Sequence, residues 1–123
     1  MTKILFADDD TLTLNLMGQA ATLLGHQAVL AKTGREALTL IGEEHPAIVF
    51  LDMMLPDMEG LTVLCKIKET PEIAATPVIV LSAGVSADDS ALCQKNGAAG
   101  YILKPISIQL LADTIQKYCS TGD

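Results

Sequence analysis

Tryptophan is absent from this chain, and only two Phe and two Tyr occur in its 123 residues. Any core must therefore be aliphatic, and a hydrophobic fraction of 50% supplies enough Leu, Ile, Val and Ala to build one. Basic residues are also scarce. Eight Lys and Arg face fifteen Asp and Glu, giving a net charge of −7 and a pI near 4.6. That balance excludes a nonspecific hold on nucleic acid or on an anionic membrane, since both need a basic face. No apolar run approaches the ~20 residues that a bilayer-crossing helix requires. Met1-Thr2-Lys3 leads straight into a strand-like run without the layout of a signal peptide. Cysteine is limited to Cys65, Cys93 and Cys119, with no CxxC pair. This fits reduced thiols in a cytoplasmic protein, two of them on helices, rather than a disulfide framework or zinc site.

What is present is a strict alternation. Runs at 3–7, 27–31, 47–51, 77–81 and 100–103 are short and rich in Ile, Val, Leu and Ala, and several show no polar alternation. Strands buried on both faces have this composition. Between them lie segments of helical period. Leu16, Ala20, Leu23 and Leu24 trace a first helix face, closed by Gly25. Ala37, Leu38 and Ile41 mark a second, stopped by His45-Pro46, and Leu61, Leu64 and Ile67 a third, entered from Gly60. A fourth helix over 87–96 has a thin apolar face of Ala91 and Leu92, which predicts the weakest packing. Ile108, Leu111, Ala112, Ile115 and Cys119 define the fifth, and residues 120–123 read as a frayed tail. Five βα units predict one α/β domain over 1–123, a doubly wound five-stranded parallel sheet with helices on both faces.

The polar residues at the strand ends carry the chemistry. Asp8-Asp9-Asp10 follow the first run, Asp52 the third, Ser82 the fourth and Lys104-Pro105 the fifth. In such a sheet the C-terminal strand edge is where ligands bind. Three adjacent carboxylates repel one another, and helix capping, a task that suits Asp10 or Thr11, needs only one of them. A hard divalent cation such as Mg²⁺ removes the conflict. Asp52 at the end of a buried strand is costly to ionise unless paired or coordinated. Ser82-Ala83-Gly84 offers a hydroxyl and a backbone N–H with little bulk, and Lys104 offers a compact cationic donor. Together these groups fit phosphoryl transfer to Asp52 as a carboxylate nucleophile, with Ser82 and Lys104 holding the transferred oxygens. Asp57 and Glu59 beside Gly60 are expected to serve the turn and the start of the third helix.

Motifs in this order resemble the receiver domain of two-component response regulators across essentially the whole chain. They are Ile-Leu-Phe-Ala-Asp-Asp-Asp at 4–10, Gly-Arg-Glu-Ala-Leu at 34–38 and Leu-Asp-Met-Met-Leu-Pro-Asp-Met-Glu-Gly at 51–60. Pro-Val-Ile-Val-Leu-Ser-Ala at 77–83 and Gly-Ala-Ala-Gly-Tyr-Ile-Leu-Lys-Pro at 97–105 complete the set.

The resemblance implies a flavodoxin-like (βα)5 fold and a phosphorylation-controlled signalling switch rather than an enzyme acting on other molecules. It implies Asp52 as phosphoacceptor, and Asp8, Asp9, Asp52 and the Met54 carbonyl as Mg²⁺ ligands. Ser82, the Ala83 backbone and Lys104 become phosphate contacts, Ser82 and Tyr101 the switch pair, and Pro105 a cis proline. Tyr101 is expected to turn from an exposed to a buried rotamer. The implied donor is a histidine kinase or histidine phosphotransfer protein. The output is a domain or protein reading the face of the fourth helix, fifth strand and fifth helix, with no nucleic acid or membrane bound by this domain. An FMN carrier of the same fold would need Ser, Thr or Gly donors where three Asp stand. A haloacid-dehalogenase hydrolase would need a second Asp where Met54 stands.

Overall fold

The computed structural model describes residues 2–84 and 87–119. Among them five strands, β1 (Lys3–Ala7), β2 (Gln27–Ala31), β3 (Ile48–Asp52), β4 (Val78–Ser82) and β5 (Gly100–Leu103), alternate with five helices. The helices are α1 (Thr11–Leu23), α2 (Gly34–Glu44), α3 (Gly60–Glu69), α4 (Ala87–Lys95) and α5 (Ile108–Cys119). All strand pairs are parallel, in the order β2-β1-β3-β4-β5. The order reverses between β1 and β3, so the crevice of the topological switch point opens between Asp8-Asp9 and Asp52. The tail at 120–123 lies outside the described residues.

The two-residue period of a strand divides the core cleanly. Leu5, Ala7, Val49, Leu51, Val78 and Val80 face one helical layer with Ala37, Ile41, Val63, Leu64, Ile67 and Cys93. Ile4, Phe6, Ile48, Phe50, Ile79 and Leu81 face the other, with Leu14, Met17, Ala21, Leu111 and Ile115. Helices cover both faces, which is why the inner strands need no polar alternation. Phe6 and Phe50 stack with ring centroids 5.3 Å apart.

Several helix faces differ from the expected ones. In α1 the buried residues are Leu14, Met17, Gly18, Ala20 and Ala21, whereas Leu16 and Leu23 are 57% and 81% exposed. The helix sits on the sheet by its small residues, and a Cβ on Gly18 would already touch Leu30 and Ala28. Large apolar side chains were thus a poor guide to its inner face. In α4 the inward residue is Cys93, fully buried, while Ala91 and Leu92 are exposed. α4 ends at Lys95, one residue short of the expected end. In α5, Ile108 is exposed and Thr114 is buried, its hydroxyl donating to the Leu110 carbonyl. All three cysteines lie on helices, and all are free. Gly25 follows α1 at φ +89°, a left-handed conformation natural to glycine.

Candidate phosphoacceptor site

β3 and β4 each lie one residue later than their apolar runs, so Asp52 and Ser82 are the last residues of strands rather than the first of loops. Asp52 pairs in register with Leu81, and Ser82 with Leu103. By the same two-residue period, Asp8 continues the face of Ile4 and Phe6, and Asp52 that of Ile48 and Phe50. Lys104 continues the face of Ile102, which packs in the same layer. The three side chains meet there. Lys104 Nζ lies 2.7 Å from Asp8 Oδ2 and 3.3 Å from Asp52 Oδ2. Ser82 and Tyr101 have the opposite parity and belong with Val78 and Val80 on the α4 side.

Asp8 is fully buried and Asp52 is 6% exposed, while Asp9 is open to solvent. One oxygen from each of the three lies within 4.8 Å of the others. Asp8 Oδ1 accepts from the Asp10 N–H at 2.9 Å. Asp8 Oδ2 makes its close contact to Lys104 as an ion pair and has no directional hydrogen bond among the described residues. A buried carboxylate oxygen in that condition, beside two further carboxylates, is a donor set suited to a hard divalent cation. Burial pushes the Asp52 carboxyl above its ordinary value, the charge of Asp8 adds to this, and Lys104 opposes it. Burial pulls the Lys104 ammonium down, but Asp8 and Asp52 outweigh it and the net shift is upward. Asp10 is the cap: its carboxylate accepts from the Thr13 N–H and hydroxyl, which lowers its pKa. The Lys104-Pro105 peptide bond is cis.

The loop behind Asp52 is held from several sides. Met53 N–H donates to the Leu81 carbonyl at 3.0 Å, and Gly60 N–H to the Met53 carbonyl at 2.7 Å. A Cβ on Gly60 would stand 2.4 Å from the Asp52 carbonyl oxygen, so only glycine allows this approach. Asp57 does not serve α3. Its two carboxylate oxygens accept the Gly34 and Arg35 N–H groups at 2.7 and 2.9 Å, capping α2 across 23 residues of chain and holding its own pKa down. Glu59 occupies the N-cap position of α3 but makes no side-chain hydrogen bond there.

On the opposite side, Ser82 Oγ is turned into its own loop, donating to the Gly84 carbonyl at 2.9 Å. Tyr101 is already half-buried against the α4-side core, and its shielded hydroxyl has no partner among the described residues. The starting position of Tyr101 is thus half-buried rather than exposed.

A cleft of about 480 Å³ opens over the site, lined by Asp9, Asp52, Met54, Ser82, Lys104 and neighbouring loop residues. Its far wall includes Asp89 from the first turn of α4. Sequence reasoning missed Asp89. The signal was its spacing of four from Cys93, which puts both on one helix face.

Comparisons with known proteins agree with this fold. The model of the response regulator receiver domain matches residues 4–116. The polar-differentiation response regulator DivK of Brucella ovis is 32% identical over 119 residues, covering 96% of this chain and 97% of its own. Among solved structures, the receiver domain of Francisella response regulator 1452 superposes with a TM-score of 0.90 at 28% identity, over 100% of both chains. A CheY-like receiver domain protein from Methanospirillum hungatei does so with 0.86 at 31%, over 95% of this chain and 92% of its own. Acids at the ends of β1 and β3, a hydroxyl at the end of β4 and a lysine after β5 thus occur in a fold and a sequence pattern that agree, and the chain belongs to the response regulator receiver domain family.

Proposed function

We propose that residues 1–123 form a single phosphoacceptor domain in which Asp52 takes a phosphoryl group from the phosphohistidine of a histidine kinase or phosphotransfer protein in the cytoplasm. The observation that carries this reading is the position of Asp52, a nearly buried carboxylate between Asp8 and the Lys104 ammonium. Asp8, Asp9, Asp52 and the Met54 carbonyl would hold Mg²⁺, which when bound supplies charge neutralisation for the incoming phosphoryl group. Lys104 reaches both Asp8 and Asp52 and would pass to a phosphoryl oxygen. The Ala83 N–H and the Ser82 hydroxyl would take the remaining oxygens, Ser82 giving up its bond to Gly84.

A donor protein finds an apolar recess beside the acceptor. Leu16, Met17, Pro105 and Ile106 line it, with Lys104 at its edge. The exposed Leu16 and Leu12 explain themselves as contacts for such a partner better than as core. On the other side, movement of Ser82 changes what the strand end offers to α4, and the Tyr101 hydroxyl, without a partner among the described residues, gains a chance to pair as α4 shifts. The face of α4, β5 and α5 then presents a changed surface to an output domain or protein. Met54 and Gly84 flank the cleft without a hydrogen-bonding side-chain group to hold attacking water, so the phosphoryl group should persist.

The test is incubation with a small phosphodonor and Mg²⁺ followed by intact mass spectrometry. One added phosphoryl group is expected on the wild-type chain and none on Asp52→Asn; equal labelling of the variant would falsify the assignment. Ser82→Ala should still be labelled but show a much reduced amide NMR response around Tyr101 and α4.

A further inference from the structure

We propose that Asp89 selects the class of phosphodonor, favouring donors whose leaving group is a protonated nitrogen over donors that expel a carboxylate. The inference deepens the function proposed above and rests on Asp52 being the acceptor. Asp89 and Cys93 are four residues apart on α4 and lie along one line of the helix, Cys93 buried and Asp89 exposed toward the cleft. Cys93 is fully buried with its Sγ 3.8 Å from Met53 Sδ, next to the acceptor. One turn toward the helix start, Asp89 lines the cleft that contains Asp52, Met54, Gly84 and Lys104. The closeness of the two side chains also shows in the Cys93 thiol, which burial and then the charge of Asp89 push up.

In an in-line displacement the Asp52 oxygen attacks phosphorus from the sheet edge, and the leaving group departs on the opposite side, into the mouth of the cleft. Met54 and Gly84 bring no charge to that mouth, whereas Asp89 brings a carboxylate. With a phosphoramidate or phosphoimidazole, the Asp52 O–P bond forms as the P–N bond breaks. The electron pair goes to the nitrogen that was bonded to phosphorus; the amine keeps its protons there, the imidazole keeps its proton on the other ring nitrogen, and each leaves neutral. The leaving group enters cationic, and Asp89 attracts it. With an acyl phosphate, the P–O bond breaks and a carboxylate anion departs against Asp89, which raises the barrier. Asp88, its neighbour, is likewise exposed but does not line the cleft, so it provides a control of equal charge.

The experiment compares initial labelling rates with acetyl phosphate and with phosphoramidate by intact mass spectrometry, at fixed Mg²⁺ and ionic strength. Asp89→Asn should raise the acetyl phosphate rate relative to the phosphoramidate rate about fivefold at low salt. Asp88→Asn should leave the ratio unchanged, and Asp89→Glu should keep it near wild type. Wild type alone supplies a reading free of mutation: its ratio should climb toward that of Asp89→Asn as added salt screens the charge. An amide NMR spectrum of Asp89→Asn checks that α4 is intact, and if it is not, the salt series decides. An unchanged ratio in Asp89→Asn, an equal change in Asp88→Asn, or a flat salt series overturns donor selection by Asp89. Wild type unlabelled by both donors would instead overturn the role of Asp52 itself.

Discussion

The two sides of Asp52 are built differently. Toward α3, every residue of β3 is buried, Gly60 closes onto the strand end and Asp57 ties the loop to α2. Toward α4, the Ser82 hydroxyl bonds within its own loop, none of the four β5 residues is fully buried, and Cys93 is the one buried residue of α4 among those described. The acceptor is thus anchored on a side that resists displacement and faces a side that can move at small cost. Local opening follows buried apolar contact, so the α4 side is where a charge added to Asp52 has the least to overcome.

Four measurements can break or sharpen this contrast. The largest effect should come from Gly60→Ala, whose new Cβ meets backbone rather than a flexible side chain. A loss of about 3 kcal/mol is expected in urea denaturation, and a change below ~0.5 kcal/mol would mean the anchored side yields as easily as the other. Lys104→Met leaves Asp8 and Asp52 without their counter-charge. With Lys104 itself partly exposed, about 2 kcal/mol should be lost in metal-free buffer. Because its folded pKa is raised, this contribution is present below lysine's ordinary 10.5 and disappears only as pH climbs through the folded value.

Next comes Asp52→Asn. A carboxyl whose pKa is raised by folding stabilises the fold below its ordinary 3.8 and loses that stabilisation as pH rises through the folded value. The variant should therefore melt higher than wild type at neutral pH, with the gap closing on acidification in a pH series of thermal melts. A gap that widens toward low pH would contradict the sign. The smallest effect belongs to Leu92→Ala on α4, 43% exposed in the native chain. It should cost under ~0.5 kcal/mol, and α4 amides should exchange hydrogen faster than those of α3.

The strands were legible because parallel strands covered on both faces leave an unbroken apolar record, and Asp8, Asp52, Ser82 and Lys104 were legible as the polar residues that end it. What escaped was tertiary. The face of α1 depends on how closely Gly18, Ala20 and Ala21 allow it to approach the sheet, which leucine spacing does not encode. Asp57 caps a helix 22 and 23 residues earlier, and no local pattern announces that partner. Asp89 resembles any acidic residue in a first helical turn until Cys93 fixes which way its face turns.

Side-chain parity along the strands has a genetic consequence. Asp8, Asp52 and Lys104 meet because each stands an even number of residues from an anchor in the same layer: Phe6, Phe50 and Ile102. Ser82 and Tyr101 stand in the odd set. Deleting a single codon within β3 would carry Asp52 across to the α4 side even if every hydrogen bond of the ladder re-formed. A two-codon deletion would keep its direction and only shorten its reach. Lineages of this chain should therefore tolerate length changes in the outer loops, while the four strands that carry the site admit substitution but not a change of count by one.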